Sequence, residues 1–425
     1  MIHFNTLGNG LKRGIVRFSA KVSKNFSKPV RKFITDMVYG IIASESCMLT
    51  KIGRALKEDI SLKKVVDRLG RQLSHFTGTD ELLDRYLEAV RPSFGEDTML
   101  IIDPSDVTKP CSPKMEAIGS VWDASEKAYG MGYWTMGAVA LTGKTNHPVP
   151  VYEQLYPCKK QGGKGLVEET DILLQFLRER FDNNIPRVFD RGFDSGDVMK
   201  ALTGYSEKFI IRQCQNRIAI HNGKRTLIAN VIKDVVCRHE MRYRNKDGKK
   251  VTCKIGMTTV ELPNLKNITL NLVVCKGAGE NPLVLYTNLE ETVESIAVRV
   301  VKAYLMRWRI DEMYGYKKKS LNFEDFRVRS LNSIKALDIL LTVAVGYLGT
   351  LCDKVEEDAF VMELIYASQR VQKPRVFLKT TKFMGYALLD GITAVLGKLR
   401  CGIKGYFATP PPSRQLCLPG FVKLG

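Results

Sequence analysis

The chain is poor in the residues that build metal clusters and disulfide scaffolds. It has only five histidines among 425 residues, and its ten cysteines include no Cys-x-x-Cys pair. This pattern excludes a zinc framework or a disulfide-stapled fold and predicts reduced thiols in apolar positions. Cys237 and His239 share one face of a predicted strand, but no four-ligand set includes them, so we interpret the pair as structural.

Long apolar runs are also missing. The best one, residues 339–352, holds 14 uncharged residues, whereas a membrane span needs about 20. Residues 1–14 are polar and lack the apolar stretch of a secretory signal. These two observations predict a cytoplasmic protein without a membrane partner.

Acidic residues are scarce relative to basic ones. The chain has 65 Lys and Arg residues against 45 Asp and Glu residues, which gives a formal charge of +20. Such an excess favours a polyanionic partner, with nucleic acid first and an anionic membrane surface second. With 44% apolar and 26% charged residues, the composition is otherwise that of a folded soluble protein.

The excess of positive charge begins at the N-terminus. Residues 1–35 contain eight basic residues and no acidic one, interleaved with three phenylalanines. The segment is interpreted either as a solvated tail or as an arm that contacts a phosphate backbone. On the second interpretation the predicted DNA contacts include Lys12, Arg13 and Arg17.

The apolar pattern changes along the chain from helical to strand-like and back. Helical spacing over 34–75 gives way to strands at 98–103, 133–141, 148–156, 187–190 and 208–212, with a helix at 168–181. This order predicts an α/β fold with a mixed sheet. Residues 214–287 alternate around a turn at 245–248 and predict a β-rich insertion, and helices return over 291–319 and 332–352.

These changes predict five regions. They are a basic arm and helical DNA-binding domain over 1–92, a first part of the core over 93–213, the β-rich insertion over 214–287, a helix with the remainder of the core over 288–352, and a basic C-terminal region and tail over 353–425.

Two aspartates stand where apolar strands stop. Asp103 ends one predicted strand and Asp190 ends another. The carboxyl ends of strands in α/β sheets are where sites are built, and two close carboxylates need a cation, for which magnesium is the natural choice. The alternative is that each aspartate only caps the turn that follows it.

One later helix carries a polar stripe. At about 100° per residue, five side chains fall within roughly 80° of arc, namely Tyr304, Arg307, Asp311, Tyr314 and Lys318. The stripe is interpreted either as a phosphate site beside a carboxylate that completes a metal site, or as a solvated face with pairs such as Arg307 with Asp311.

Together these segments resemble the DDE transposases of bacterial insertion sequences, of the insertion-sequence-four type with its Tyr-x2-Arg-x3-Glu-x6-Lys signature. The resemblance covers roughly residues 45–352 and includes the sequences around Asp103 and Asp190, Gly-Tyr-Trp at 132–134 and Phe-Glu-Asp-Phe-Arg-Val-Arg-Ser-Leu after the helix. It implies an RNase H-like mixed-sheet catalytic core with a β-rich insertion, preceded by a small helical domain and followed by a helical C-terminal region.

The resemblance also implies roles for individual residues. Asp103 and Asp190 match the first two catalytic acids, and Tyr304, Arg307 and Lys318 match residues that contact phosphates near the transposon end. The third acid departs from the signature, because Asp311 stands where the family has Glu and Glu312 follows it. Helical geometry favours Asp311 as the third metal ligand. Arg191, beside Asp190, is a further predicted DNA contact.

The function implied is DNA cleavage and strand transfer with two Mg²⁺ ions, with Mn²⁺ as a substitute. The implied partners are double-stranded DNA, namely the terminal inverted repeats of the element and target DNA, bound by a homodimer near the bacterial nucleoid. Two rivals stay open: a catalytically decayed or repurposed transposase that only binds DNA, and an RNase H-like nuclease without strand transfer. The insertion contains no tryptophan near Leu283 to stack a DNA base, and Tyr286 is the nearest substitute.

Overall fold

A computed structural model describes residues 4–123, 126–142, 147–214, 216–244, 248–265, 268–290, 293–355, 357–371 and 383–403. The predicted fold class is confirmed, since one mixed sheet lies between helical N-terminal and C-terminal regions. Residues 245–247 of the predicted turn, and residues 356, 372–382 and 404–425 of the predicted C-terminal region and tail, lie outside the described residues.

The helices lie before, between and after the strands along the chain. They are α1 (Phe4–Val22), α2 (Lys28–Ser44), α3 (Leu49–Ala55), α4 (Leu62–His75), α5 (Thr79–Val90), α6 (Leu166–Arg178), α7 (Gly196–Gly204), α8 (Ile228–Asp234), α9 (Val293–Leu305), α10 (Arg309–Gly315), α11 (Leu331–Cys352), α12 (Ala359–Tyr366) and α13 (Gly385–Gly397).

The strands belong to one sheet. They are β1 (Met99–Thr108), β2 (Gly119–Asp123), β3 (Ala128–Leu141), β4 (Pro148–Tyr156), β5 (Arg187–Phe189), β6 (Phe209–Arg212), β7 (Ile218–His221), β8 (Lys224–Leu227), β9 (His239–Arg244), β10 (Lys250–Glu261), β11 (Thr269–Lys276) and β12 (Leu283–Thr287).

The centre of the sheet has the order β4-β3-β1-β5-β6. Strand β3 is antiparallel to both β1 and β4, whereas β5 lies parallel to β1 and β6 lies parallel to β5. The inner strand residues Leu100, Ile101, Ile102, Val188 and Phe189 are fully buried, as expected for parallel strands covered on both faces. The mixed sheet that the sequence predicts is therefore present.

The β-rich insertion continues this sheet rather than forming a separate layer. Its last strand, β12, pairs antiparallel with β6, and β11, β10, β7 and β8 follow outward. The insertion therefore shares a hydrogen-bonded ladder with the strand next to β5.

The basic N-terminal segment is neither a solvated tail nor an extended arm. Residues 4–44 fold into α1 and α2, and both helices bury apolar faces that include Leu11, Ile15 and Phe33. They pack against α5, α11 and α13, so the helical residues at the two ends of the chain form one body. Because its apolar face needs a partner, this basic segment is a packed pair of amphipathic helices.

Helix α11 is the most apolar element. It is 22 residues long with a mean hydropathy of 1.6, and 89% of its most apolar window is buried inside the protein. The helix lies against β4 and against α2, α4 and α5. Its length and composition alone would suit a membrane span, but its surface is already covered by protein, which agrees with the sequence prediction of a core helix.

Candidate active site

Charged side chains lie side by side on three neighbouring parallel strands, although β1 continues past Asp103 to Thr108 and is longer than the predicted strand 98–103. The β1–β5 register pairs Ile102 with Phe189, so the next residues along these strands are Asp103 and Asp190. The β5–β6 register pairs Phe189 with Ile211, which places Arg212 next to Asp190 in the same way. The strands that carry the two aspartates are therefore neighbours.

The polar stripe lies beside these strands and is carried by two helices separated by a turn. The sequence predicts one helix over 291–319, but α9 ends at Leu305, a turn covers residues 306–308, and α10 begins at Arg309. A π-helical turn, Tyr316–Ser320, follows α10. Such irregular turns change the direction in which a helix presents its side chains.

Arg307 lies in the turn and bridges two carboxylates. Its Nη1 donates to Oδ2 of Asp103 at 2.7 Å, and its Nη2 donates to Oδ2 of Asp311 at 3.0 Å. The Asp103 side chain is 16% exposed, and the Asp311 side chain is 53% exposed. The pair of Arg307 with Asp311 that the sequence suggested is present, and Arg307 also binds Asp103 of β1.

The electrostatics of this cluster come mainly from burial. Burial raises the pKa of Asp103 to about 7, and the charges of Asp311 and Asp190 raise it further, while Arg307 opposes them. The pKa of Asp311 is also raised by burial, with Arg307 acting against the shift and Asp190 adding to it. Burial lowers the pKa of Arg307, but the three carboxylates outweigh it, so this pKa lies above its ordinary value. The three acids therefore lie within electrostatic reach of one another.

Asp190 is held by groups on both sides of it. Its Oδ1 accepts from the backbone N–H of Arg191 at 2.6 Å and from the hydroxyl of Tyr304 at 3.1 Å. The alternative in which Asp190 caps the following turn is thus realised, and it coexists with the position beside Asp103. Burial and the charge of Asp190 raise the pKa of Tyr304 to about 12, so its hydroxyl stays a donor at neutral pH.

Two further stripe residues are attached to β1. The Tyr314 hydroxyl donates to the backbone carbonyl of Asp103 at 2.6 Å. Lys318 donates to Oδ2 of Asp106 at 2.9 Å and lies 3.3 Å from Oε1 of Glu324. The structural partner of the stripe is therefore strand β1, and Lys318 already has two carboxylates beside it.

Glu312 points elsewhere. Its Oε2 accepts from Nη1 of Arg309 at 2.5 Å, and Arg309 is buried. The charge of Glu312 also reaches Tyr386 on α13. Asp311, not Glu312, shares Arg307 with Asp103, as the helical-face argument predicts.

The three carboxylates suit a hard divalent ion, but two of them bind the guanidinium group of Arg307. Carboxylate oxygens are the ligands that Mg²⁺ prefers, and Asp103, Asp190 and Asp311 supply them. Within the described parts of the chain, no group of three or more His, Cys, Asp or Glu side chains is already arranged to hold a metal ion. Arg307 now supplies the positive charge that Asp103 and Asp311 require.

The predicted DNA contacts outside the stripe have different surroundings. Arg13, Arg17 and Arg191 are exposed. Lys12 is buried, and its Nζ donates to the carbonyl of Cys401 at 2.5 Å. The prediction that Lys12 contacts DNA is therefore wrong, because its ammonium group links α1 to the C-terminal region.

Tyr286 is fully buried in β12. It cannot serve as the exposed base-stacking substitute considered from the sequence, because its ring has no surface open to a nucleobase.

Sequence reasoning missed two residues of the site, Arg212 and Asp106, and it did not predict the contact that Tyr314 of the polar stripe makes. Arg212 interacts with the Tyr304 hydroxyl, Asp106 binds Lys318, and Tyr314 holds the backbone at Asp103. Arg212 is the last residue of a short apolar strand, so the rule that selected Asp103 and Asp190 could have selected it. No local pattern distinguishes Asp106 from a turn residue.

No protein-family model matches the chain. One solved structure that is similar to it is a piggyBac transposase synaptic complex with hairpin DNA. The match covers 97% of this chain and 84% of that chain, with 12% sequence identity and a TM-score of 0.44. The likeness is distant in both sequence and structure.

Proposed function

We propose that this protein is a DDE-type transposase of an insertion sequence, of the insertion-sequence-four type, which cuts DNA at the element ends and transfers strands. The observation that carries the proposal is that Asp103 and Asp190 lie in register on the neighbouring strands β1 and β5 and that Arg307 joins Asp103 to Asp311, so the three acids are within electrostatic reach of one another. These residues are 87 and 121 positions apart along the chain, so local structure alone does not explain why they meet.

The residues that would hold the metal are the three aspartates, with Mg²⁺ as the natural ion and Mn²⁺ as a substitute. A bound divalent ion lowers the pKa of a water or hydroxyl and stabilises charge on phosphoryl oxygens. The raised pKa of Asp103 supports this assignment, because burial and two neighbouring carboxylates create a site that favours an added cation.

The other side chains of the site hold the aspartates in place and balance their charge. Tyr304 orients Asp190, and Tyr314 fixes the strand backbone that carries Asp103. Arg307 is a planar donor that suits a phosphate as well as a carboxylate. With the aspartates held by a metal, Arg307 would be available to bind a phosphate of the DNA. In this scheme the attacking group is a water or a DNA 3′-hydroxyl, so no protein nucleophile is required.

The partners in this proposal are double-stranded DNA, first the terminal inverted repeats and then target DNA. Two protomers bind paired ends as a homodimer in the bacterial cytoplasm, close to the nucleoid. The exposed Arg13, Arg17 and Arg191 add phosphate contacts that carry no sequence information.

The test is a cleavage assay on plasmid DNA that carries the genomic flanks of this coding sequence. With Mg²⁺ or Mn²⁺ the wild-type protein is expected to nick or cut this DNA, and Asp103→Asn and Asp190→Asn are expected to lose cleavage while they still bind. Cleavage retained in either variant would overturn the site assignment. Joined products from pre-nicked ends would separate a transposase from a nuclease that only cuts.

One observation favours a second candidate, a DNA-binding protein that has lost catalysis. Asp311 is a methylene shorter than the glutamate of the signature, and Arg307 neutralises it together with Asp103. DNA binding without nicking under either metal would support this candidate over the first.

A further inference from the structure

A basic groove adjoins the candidate active site at the far end of strand β1. It has a volume of about 780 Å³ and lies between the loop 109–115 and the segment 324–329. Its lining includes Cys111, Lys114, Glu324, Arg327 and Arg329. We name it the Arg327 groove.

The wall that carries the arginines is fixed by buried contacts. Lys109 is buried and its Nζ donates to the backbone carbonyls of Glu324 and Phe326, both at 2.6 Å. The Lys109 ammonium also lies 4.3 Å from the centre of the Phe326 ring. The backbone N–H of Thr108 donates to Oε1 of Glu324 at 2.9 Å, which ties the same wall to the end of β1.

Buried and exposed residues alternate along this wall, and both exposed arginines line the groove. Phe326 is buried and Val328 is half-buried, whereas Arg327 and Arg329 are exposed. In an extended segment residues two apart share one side, about 6.6 Å from each other. Two guanidinium groups on one side therefore form a short row of positive charge.

The positive charges of the groove are not used within the protein. Among the residues that the structure describes, the side chains of Lys114, Arg327 and Arg329 form no ion pair or hydrogen bond. Glu324, on the same wall, is paired with Lys318 and accepts hydrogen bonds from the backbone N–H and the hydroxyl of Thr108. The groove thus presents three unpaired cations, with the carboxylate of Asp325 as the remaining acid of its lining.

We infer that the Arg327 groove binds the phosphate backbone of the DNA whose reacting bond lies at Asp103. The inference rests on the proposed function. Strand β1 connects the two places, and the five-residue step from Asp103 to Thr108 spans about 17 Å at about 3.3 Å per residue. At about 3.4 Å of axial rise per nucleotide, that distance corresponds to about five nucleotides. The groove would therefore hold the DNA on one side of the cut site.

Salt dependence of binding is the first test, and it needs no cleavage. The probe is a fluorescein-labelled 20-base-pair DNA duplex in buffer without divalent metal. The double variant Arg327→Ala/Arg329→Ala is expected to lower the slope of log K against log salt by about two counterions and to weaken binding about 10- to 30-fold near 0.15 M salt. The charge-preserving variant Arg327→Lys/Arg329→Lys is expected to keep the wild-type slope.

An unchanged slope in the alanine variant, while the wild-type protein binds the duplex, would overturn this inference and leave the proposed function standing. A wild-type protein that does not bind the duplex at all would overturn both. Competition by polyglutamate as effective as that by DNA, lost in the same alanine variant, would overturn the assignment to DNA.

Cys111 offers a second test of position, because it is exposed and lines the groove. A duplex that carries an activated disulfide tether on its backbone is expected to crosslink to the wild-type protein, with a several-fold lower yield in Cys111→Ser. The yield is also expected to fall in Arg327→Ala/Arg329→Ala. An equal yield in all three proteins would overturn the placement of DNA in the groove.

Discussion

The hydroxyl of Tyr314 occupies the space that a side chain at position 137 would need. Gly137 lies opposite Asp103 in the β1–β3 register, and a Cβ built on it would overlap the Tyr314 hydroxyl and lie 3.2 Å from its Cζ. The missing side chain lets Tyr314 reach the carbonyl of Asp103. A glycine in β3 and a tyrosine in α10 thus jointly fix the strand at the candidate active site.

Gly137→Ala is expected to displace Tyr314 and to break its hydrogen bond with Asp103. The free energy of unfolding should fall by about 1–3 kcal/mol, as for other overpacked sites, and cleavage should fall more than DNA binding. Urea unfolding and cleavage assays measure the two effects.

The double variant Gly137→Ala/Tyr314→Phe is the control, because removing the hydroxyl relieves most of the overlap. Its loss of stability should be smaller than the sum of the two single losses. Simple additivity would mean that the two residues do not interact as described.

The identity of the third acid can be tested by comparing neighbours on α10. Asp311→Ala is expected to abolish cleavage, because Asp311 shares Arg307 with Asp103, whereas Glu312→Ala should keep cleavage because Glu312 pairs with Arg309. Asp311→Asn keeps the size of the side chain and should behave like the alanine variant. Loss of activity in Glu312→Ala alone would refute the placement of the third acid.

Lys318 is expected to contribute more to the stability of the fold than to DNA binding. Its ammonium is paired with the buried Asp106 and with Glu324. Lys318→Met leaves the Asp106 carboxylate without this partner, so the free energy of unfolding should fall by about 1–3 kcal/mol.

The matched control is Lys318→Met/Asp106→Asn. It removes the unpaired carboxylate of Asp106 and should recover part of the lost free energy of unfolding. A Lys318→Met protein that unfolds like the wild type, with a salt slope lower by about one counterion, would instead assign Lys318 to a phosphate.

A buried triad away from the aspartate cluster makes stability depend on pH. Lys317 lies 2.5 Å from Oε1 of Glu153 and 2.7 Å from Oδ1 of Asp338, and all three side chains are almost fully buried. Burial and the charge of Asp338 raise the pKa of Glu153 to about 7, while Lys317 opposes them.

Between the ordinary pKa of a glutamate and this raised value, the folded protein binds more protons at Glu153 than the unfolded chain does. The free energy of unfolding is therefore expected to decrease as the pH rises from about 4.5 to about 7. Glu153→Gln removes this titration, so between pH 4.5 and pH 8 it should lose about 1–3 kcal/mol less than the wild type. Urea unfolding at the two pH values measures the difference.

Glu363 on α12 is exposed and serves as the control position. Glu363→Gln should follow the wild-type pH dependence. A Glu153→Gln protein that also follows it would show that Glu153 does not titrate differently in the folded and unfolded states.

The sequence by itself predicted the central strands, though not all of their bounds, and selected Asp103 and Asp190 as candidate acids. Strand β4 spans Pro148–Tyr156, as its apolar run predicts, and Asp103 and Asp190 directly follow the buried residues of two neighbouring strands. The four-residue spacing of Arg307 and Asp311 also offered their pairing as one of two interpretations of the stripe, and the pair is present. These features depend on periodicity and on short spacings, which are local properties of a chain.

Only the tertiary structure decided what those residues contact. The burial of Lys12 against Cys401, the bond from Tyr314 to Asp103 and the pairing of Lys318 with Asp106 join positions that are far apart in sequence. The break between α9 and α10 likewise puts Arg307 in a turn beside β1. A local pattern shows that a side chain is charged and on which face it lies, but its partner is selected by the packing of distant elements, where burial makes an unpaired charge costly.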